Sequence, residues 1–401
     1  MKKRLVLPWI IIILSMTFMF FQSSGLIKID YLMILMGGCC VLYLFSKQSV
    51  RLSTVVLWYV GLIAIMAISL LYTVDMDLTI TYLMVMSYGL LLFITVGEIP
   101  DAKTMVTKSL AAYAMFNVFI TIFSVMFPEP FANIMEMLLP TVNTKFAFAS
   151  GILGQTGTNS YVITYSVLFW LVRMNTKEKI DIKSLIMLSI SLFALLLTGK
   201  RGPLVWVMVT FVFVNFIKGY VTGKTEILKD LMRYALGAGI LLLVVTLLDQ
   251  TEMVEKFFAR FSSVDEEDIS SGRFDLYRLA IQRIKDNFIL GIGAGAYNHY
   301  GLGAHNDYLQ IFAENGLVGG IWFVLFLLWN LRNTYRWYRN KRSEIDLYAL
   351  SLLIFIFLNG LTATAFLHYG FYFVFILISG ASYHESLHGS PKSLQAPSQN
   401  Y

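Results

Sequence analysis

The chain has 401 residues, of which 57% are hydrophobic and 14% charged, with a net charge of +6. An ordinary soluble domain has roughly 45–50% apolar and about 25% charged residues. The composition therefore excludes a soluble enzyme, a secreted disulfide scaffold and a disordered protein. The only two cysteines, Cys39 and Cys40, are adjacent in an apolar segment and supply too few ligands for a metal site. We predict an all-α polytopic membrane protein, in which the positive charge marks inner-face loops rather than nucleic-acid binding.

Twelve apolar segments predict transmembrane helices, since about 20 apolar residues cross a bilayer as a helix and none of the segments alternates as a barrel strand does. They cover approximately residues 5–22, 30–46, 53–72, 79–97, 106–127, 155–173, 184–199, 203–219, 233–248, 306–331, 347–366 and 369–384. The connection after the ninth helix is the one place large enough for an extramembrane subdomain. The predicted organisation is nine helices in 1–248, a large extracytoplasmic loop at 249–305, three helices in 306–384 and a disordered cytoplasmic tail at 385–401.

The basic residues predict the orientation of these helices. With the N-terminus in the cytoplasm, about two thirds of the 31 basic residues fall on the inner side, as the positive-inside rule requires. Both termini are then cytoplasmic. The basic residues that break the rule lie mainly in the 249–305 loop and on the short outer turn at 199–202.

The outer turn Thr198–Pro203 places Lys200 and Arg201 between two predicted helices. Pro203 lies in the first turn of the second helix, where proline is favoured, and the N-terminus of a helix carries partial positive charge. These features together predict an anion site at the outer membrane face. The alternative is that both side chains extend into the lipid headgroups.

The loop segment 270–297 predicts an amphipathic helix, because Phe274, Tyr277, Ile281, Ile284 and Phe288 recur at spacings of three and four. Such a helix would lie on the outer membrane surface with its apolar stripe towards the lipid. Near its start are two arginines, Arg273 and Arg278, which could bind an anionic substrate or simply lipid phosphates. The glycines at 291, 293 and 295 follow without a βαβ unit, so they indicate a tight turn rather than a dinucleotide site.

The tenth predicted helix is preceded by His305 and Asn306. Asn306 is suited to cap the helix, which would leave His305 at its outer mouth, and histidine is the side chain best suited to accept a proton near neutral pH. A single histidine there is often structural, but Glu314 lies only one to two turns inside the same helix. Asn159, in the polar entry to the sixth helix, could also line a site. The acidic run at 265–268 is interpreted as a solvated loop, and no metal site is predicted.

The order of these motifs resembles the O-antigen ligase and O-antigen polymerase superfamily. The matching features are the turn Gly199-Lys200-Arg201-Gly202, the Gly272-Arg273 pair in a large outer loop, and the closing pattern His305-Asn306-x-x-Leu309 followed by Glu314, Gly316 and Gly319. Asn159 resembles part of the family's glycine-rich lead into a helix. Lys200 departs from the pattern, since family members often carry Ser there.

The resemblance implies a GT-C-type membrane glycosyltransferase of the bacterial cytoplasmic membrane, with its active site on the extracytoplasmic face. The donor would be a glycan on undecaprenyl diphosphate, and the acceptor a second lipid-linked glycan or a final acceptor. Inverting transfer without metal or other cofactor is expected. Catalytic roles fall to His305 as base and to Arg201 and Arg273 as stabilisers of the leaving diphosphate. Substrate binding falls to Lys200, Arg278, Asn306, Glu314 and Asn159. A flippase and a chain-length regulator are possible partner proteins, and nucleic acid is not one.

Four alternatives remain for the function. A polymerase joins lipid-linked repeat units, whereas a ligase moves finished chains to a final acceptor, and both use the same motifs. We rank the polymerase first. A lipid-linked glycan flippase or transporter ranks behind both, because transporters usually place ionisable groups near the membrane midplane. A non-catalytic export scaffold ranks last.

Overall fold

The computed structural model describes residues 6–24, 29–52, 54–138, 149–177, 181–223, 272–301, 303–364 and 369–388. In these ranges the chain forms thirteen α-helices and no strand, so the all-α prediction is confirmed for this part of the chain. The helices are α1 Val6–Ser24, α2 Ile29–Phe45, α3 Thr54–Ile68, α4 Met76–Gly97, α5 Ala102–Met126, α6 Pro128–Leu138, α7 Thr156–Thr176, α8 Ile182–Leu197, α9 Arg201–Thr222, α10 Arg273–Asp286, α11 Asp307–Lys341, α12 Glu344–Asn359 and α13 Tyr369–His388. Short 3₁₀ turns lie at Ser69–Leu71, Gly151–Leu153 and Ala296–Tyr300.

Five segments of the described chain are long and apolar enough to cross a membrane, namely Thr54–Leu71, Met76–Gly97, Ala102–Met126, Arg201–Thr222 and Asp307–Lys341. Shorter apolar helices are Val6–Phe18, Tyr31–Phe45, Ile182–Leu197 and Gly370–Tyr383. The chain thus has the helices of a membrane protein. The count of twelve spans stays a prediction, and its ninth span, 233–248, lies outside the described residues. So do residues 249–271 of the predicted loop and the predicted tail beyond residue 388.

Helix α11 extends ten residues beyond the predicted boundary at 331, as far as Lys341. Its last three turns carry arginines, which hydropathy assigns to a loop although arginine is a good helix former. Helix α6, in contrast, is a short amphipathic helix that the pattern of long apolar segments did not predict.

The centre of the bundle is built around α13. From Gly370 to Tyr383 every residue of this helix is buried, which is what a helix that is apolar on all sides requires. Its closest neighbour is α4, and the two helices approach through glycines. A Cβ atom on Gly89 would collide with the hydroxyl groups of Tyr372 and Tyr59. The aromatic side chains therefore fill the volume that the glycine leaves open.

A buried ion pair ties α5 to the start of α12. The Lys103 Nζ atom lies 2.6 Å from the Asp346 Oδ1 atom, and the two side chains are only 6% and 3% exposed. The hydroxyl of Ser343, which caps α12, also donates to the Asp346 carboxylate. Because the pair is removed from water, loss of one partner leaves a charge without its counterion.

We expect Lys103→Met to lower the free energy of unfolding by about 3–5 kcal/mol, the usual cost of breaking a buried pair from one side. Denaturant titration of the purified protein in mild detergent measures this change. The control is Arg278→Ala, which removes an ion pair to Asp275 whose side chains are 81% and 80% exposed and which should hardly alter stability. Equal stabilities of the two variants would contradict the prediction.

Candidate functional site

The N-terminal end of α11 is held by its cap and by the segment that follows α12. The Asn306 side chain accepts a hydrogen bond from the Leu309 amide at 3.0 Å, so the predicted cap is confirmed. Its Nδ2 atom donates to the Leu361 carbonyl at 2.9 Å. The Asp307 amide donates to the carbonyls of Gly360 and Ala363, at 2.8 and 3.2 Å. The backbone that follows His305 is therefore fixed both by its own cap and by a neighbouring segment.

His305 adopts a left-handed backbone conformation with φ 50°, which is uncommon for a residue other than glycine. The Tyr277 hydroxyl of α10 lies 3.5 Å from its carbonyl oxygen. The imidazole has a pKa below its ordinary value because of partial desolvation, and secondarily because of the positive charges of Arg273 and Lys200. The ring is consequently neutral over a wider pH range than a free histidine, as a proton acceptor must be.

Three of the predicted site residues are therefore linked electrostatically although they are far apart in sequence. Lys200 immediately precedes α9 and is half-buried, and Arg273 is the first residue of α10 and also half-buried. Both act electrostatically on His305. Each of the two cations also lies at the N-terminus of a helix, which carries partial positive charge. This combination is suited to binding an anion next to a neutral imidazole.

Arg201 is the first residue of α9 and its side chain is exposed. The start of α9 packs against the same segment that holds α11, because the Trp206 Nε1 atom donates to the Thr362 hydroxyl at 2.7 Å. Arg201 thus emerges from the outer turn next to Lys200.

Arg278 is placed differently from Arg273. Five residues along an α-helix correspond to a rotation of about 140°, so the two arginines leave α10 in different directions. The Arg278 side chain is 81% exposed and pairs with Asp275 at 3.1 Å. Among the contacts of the described residues, none joins Arg278 to His305. Its substrate role stays a prediction.

Glu314 and Asn159 lie inside the protein, and both are fully buried. The Glu314 carboxylate accepts hydrogen bonds from the amides of Gly295 and Tyr297, at 3.1 and 3.4 Å. The Asn159 Nδ2 atom donates to the Thr121 hydroxyl at 2.8 Å and to the Ala149 carbonyl at 3.3 Å. The substrate contacts predicted for these two residues stay predictions, and the partners they have in the structure are protein groups.

The glycines that precede the site form a tight turn, as the sequence predicts. Gly291, Gly293 and Gly295 all have positive φ, at 78°, 114° and 72°. The Gly293 amide donates to the Glu314 carbonyl at 2.9 Å, and the Val74 amide donates to the Ile292 carbonyl at 3.1 Å. The turn is therefore held between α11 and the connection that follows α3.

We expect Gly291→Ala to reduce the predicted transfer activity by up to about 10²-fold, because a displacement of about 1 Å in a catalytic segment can cost this much. A Cβ atom at this position would collide with the backbone of Glu314. Gly301 is the matched control, since it also has positive φ, 86°, but open space where a Cβ atom would lie. Both variants carry strain of about 1–3 kcal/mol, and only Gly291→Ala displaces the turn. An equal loss of activity in both would contradict the explanation.

Helix α10 turns only part of the predicted apolar stripe towards the protein. Ala280 is fully buried, with Ile284 against the same cluster, whereas Phe274, Ile281 and Phe288 are exposed at 62%, 43% and 52%. The exposed apolar side chains are those available to contact a lipid surface.

Sequence reasoning did not single out three residues that border the site. Tyr277 contacts His305, and Gln310 lies one turn inside α11 and is buried. Tyr161 of α7 hydrogen-bonds Asn359 and interacts electrostatically with Arg273 and Asp307. A polar Gln310 within an apolar helix was an available signal, and Tyr161 ends the polar segment 154–161, which the sequence indicates could line a site or be a loop. In the described ranges no group of three or more His, Cys, Asp or Glu is arranged to hold a metal ion.

Residues 186–327 match the family model described as O-antigen ligase. The matched part contains Lys200, Arg201, Arg273, His305 and Glu314, whereas Asn159 lies outside it. No curated protein matches the sequence. The family match supports the resemblance to the O-antigen ligase and polymerase superfamily, and with it a membrane enzyme of the ligase or polymerase type.

Proposed function

We propose that this chain is a glycosyltransferase that polymerises glycan repeat units carried on undecaprenyl diphosphate, at the extracytoplasmic face of the bacterial cytoplasmic membrane. The observation that carries the proposal is the electrostatic effect of Arg273 and Lys200 on His305, whose backbone is held by the Asn306 cap, within the segment that matches the O-antigen ligase family. A neutral base under the influence of two cations suits a glycosyl diphosphate donor.

The cations act on the leaving group. When the bond between the anomeric carbon and the diphosphate oxygen breaks, negative charge develops on the lipid diphosphate. Fixed positive charges aimed at that position stabilise the transition state more than the ground state. Arginine suits this role because its guanidinium group binds phosphate oxygens in bidentate geometry and keeps its proton. We assign it to Arg273 and Arg201, with Lys200 assisting and Arg278 at the periphery.

His305 acts on the acceptor. The acceptor hydroxyl attacks the anomeric carbon from the side opposite the diphosphate, and its proton passes to the imidazole. One C–O bond forms and one breaks, and because the attack comes from the opposite side the configuration inverts as undecaprenyl diphosphate leaves. The reaction is driven by cleavage of the donor's own bond between the sugar and the diphosphate, and needs no nucleotide, metal or other cofactor.

The orientation of the chain follows from the distribution of basic residues, which places both termini in the cytoplasm and the α9, α10 and α11 N-termini outside. The lipid tail of the donor would then lie along the helices, with its diphosphate at the outer surface. The exposed apolar residues of α10 are suited to contact the same lipid surface.

A ligase that transfers finished chains to a final acceptor is the second candidate, and the family model's own description favours it. The test is to delete the gene and to analyse the lipid-linked glycans that accumulate. Single repeat units on the carrier would support the polymerase. Long chains still on the carrier would support the ligase and overturn the polymerase. No change in the amount, length or membrane leaflet of either species would overturn both.

A further inference from the structure

A buried hydrogen-bond chain connects the interior of α11 to the residue that precedes His305. The Gln310 Oε1 atom accepts a hydrogen bond from the Ala304 amide at 3.3 Å, and its Nε2 atom donates to the Glu314 Oε1 atom at 3.0 Å. Gln310 is 3% exposed and Glu314 is fully buried. A glutamine is suited to this position because one side chain supplies both the acceptor and the donor.

Glu314 anchors the other end of the chain. Besides Gln310, its carboxylate accepts hydrogen bonds from the amides of Gly295 and Tyr297. These donors belong to the glycine turn, which is itself attached to the connection after α3. The carboxyl group thus has three donors, all from the protein, as a buried polar group requires. A buried group with this set of partners is suited to hold backbone segments in place.

The segment that this chain holds includes a backbone conformation that is unfavourable by itself. His305 has φ 50°, and only the surrounding structure keeps a residue other than glycine in the left-handed region. The contact with Gln310 fixes the Ala304 amide just before it, and the Asn306 cap fixes the backbone just after it. Loss of the first contact would release one side of the strained residue.

We propose that Gln310 and Glu314 are positioning residues, which hold His305 in its left-handed conformation and so direct the imidazole towards the acceptor hydroxyl. The inference rests on the proposed function. It gives Glu314 a role through His305 in place of a direct contact with the substrate, and it adds Gln310 to the residues on which the reaction depends.

The first test is Gln310→Met, which keeps the approximate volume of the side chain and removes both hydrogen bonds. The donor is lipid-linked glycan extracted from cells that lack the gene, and the enzyme is the full chain in lipid nanodiscs. We expect kcat to fall by about tenfold to 10²-fold, a part of what a positioned base contributes, while KM for the donor changes little. Glu314→Gln keeps the size but replaces one acceptor oxygen by a donor, and should lower kcat in the same way to a smaller extent. Unchanged kcat in both variants would overturn the proposal.

Asn315→Ala is the matched control. Asn315 is also buried in α11, and its Nδ2 atom donates to the Ile311 carbonyl of the same helix at 3.3 Å. The substitution removes a buried polar side chain of this helix without touching the Ala304 contact, so kcat should stay near that of the parent. If Asn315→Ala lowers kcat as much as Gln310→Met, the effect is general to the helix and the positioning role is wrong.

A double-mutant cycle separates positioning from a merely structural role. In a His305→Ala background, Gln310→Met should cause no further loss of kcat, since there is no base left to position. A further loss of the same size would overturn the proposal. Failure of the proposed function is recognised independently, because the unmodified chain itself would then transfer no glycan in this assay.

Discussion

Replacing His305 by alanine is expected to lower glycosyl transfer by about 10²- to 10⁴-fold, the usual contribution of a positioned general base. The loss should appear in kcat, because the cations that hold the diphosphate remain in place. The measurement is transfer by the purified chain in nanodiscs at saturating donor.

His299 provides the control for this prediction. It is a second histidine on the segment that precedes α11, and its Nδ1 atom lies 3.0 Å from the Asp75 Oδ2 atom. Asp75 also caps α4, where it accepts from the Leu78 amide. We expect His299→Ala to retain most of the activity, since it removes an imidazole that links two surface segments. Comparable losses in both variants would contradict the assignment of His305.

The pH dependence gives a second check on the same residue. Because desolvation, Arg273 and Lys200 lower the pKa of His305, the acid limb of the wild-type pH profile should lie below the ordinary histidine value of about 6.5. Activity rises with pH as the imidazole loses its proton. Lys200→Met removes one of the lowering charges, so the pKa rises and the acid limb moves to higher pH. A limb that stays in place would show that the titrating group is not His305.

The sequence predicts the helices well because the bilayer imposes a length and an apolar composition on each of them. It also predicts the Asn306 cap and the glycine turn, since both depend on local backbone chemistry. The predicted helix boundary near 331 was too early, because a segment that contains arginines continues α11 to Lys341, beyond the apolar residues. Local patterns are therefore sufficient for most of the fold.

The site is less accessible to sequence reasoning, because its contacts join segments that are far apart. The sequence does not reveal that the charges of Lys200 and Arg273 both lower the pKa of His305. Nor does it reveal that Arg278 faces solvent. Polarity alone suggested Glu314 as a substrate ligand. Its burial and its three protein donors are tertiary facts, and so is the contact between Gln310 and the Ala304 amide.

Replacing Arg273 by alanine is expected to lower kcat by about 10²- to 10³-fold, the loss typical of removing one donor that stabilises a developing oxyanion. Arg273→Lys should recover only part of it, since an ammonium group keeps the charge but lacks the bidentate geometry that matches a phosphate. Lys285→Ala is the matched control, because Lys285 is an exposed cation of the same helix and the change in net charge is the same. We expect it to leave kcat unaltered.

Arg273 acts on both halves of the reaction, and its two effects can be separated. Besides stabilising the leaving group, its charge lowers the pKa of His305, so Arg273→Ala should also move the acid limb to higher pH. At a pH well above the acid limbs of both the wild type and Arg273→Ala, the ratio of their rates reports the leaving-group effect alone. The displacement of the acid limb between the two profiles reports the electrostatic coupling to His305. Arg278→Ala should change neither quantity strongly, and a peripheral substrate contact would appear in KM instead. If Arg278→Ala and Arg273→Ala lower kcat equally, the leaving diphosphate lies along the exposed face of α10, and the site built around His305 is wrong.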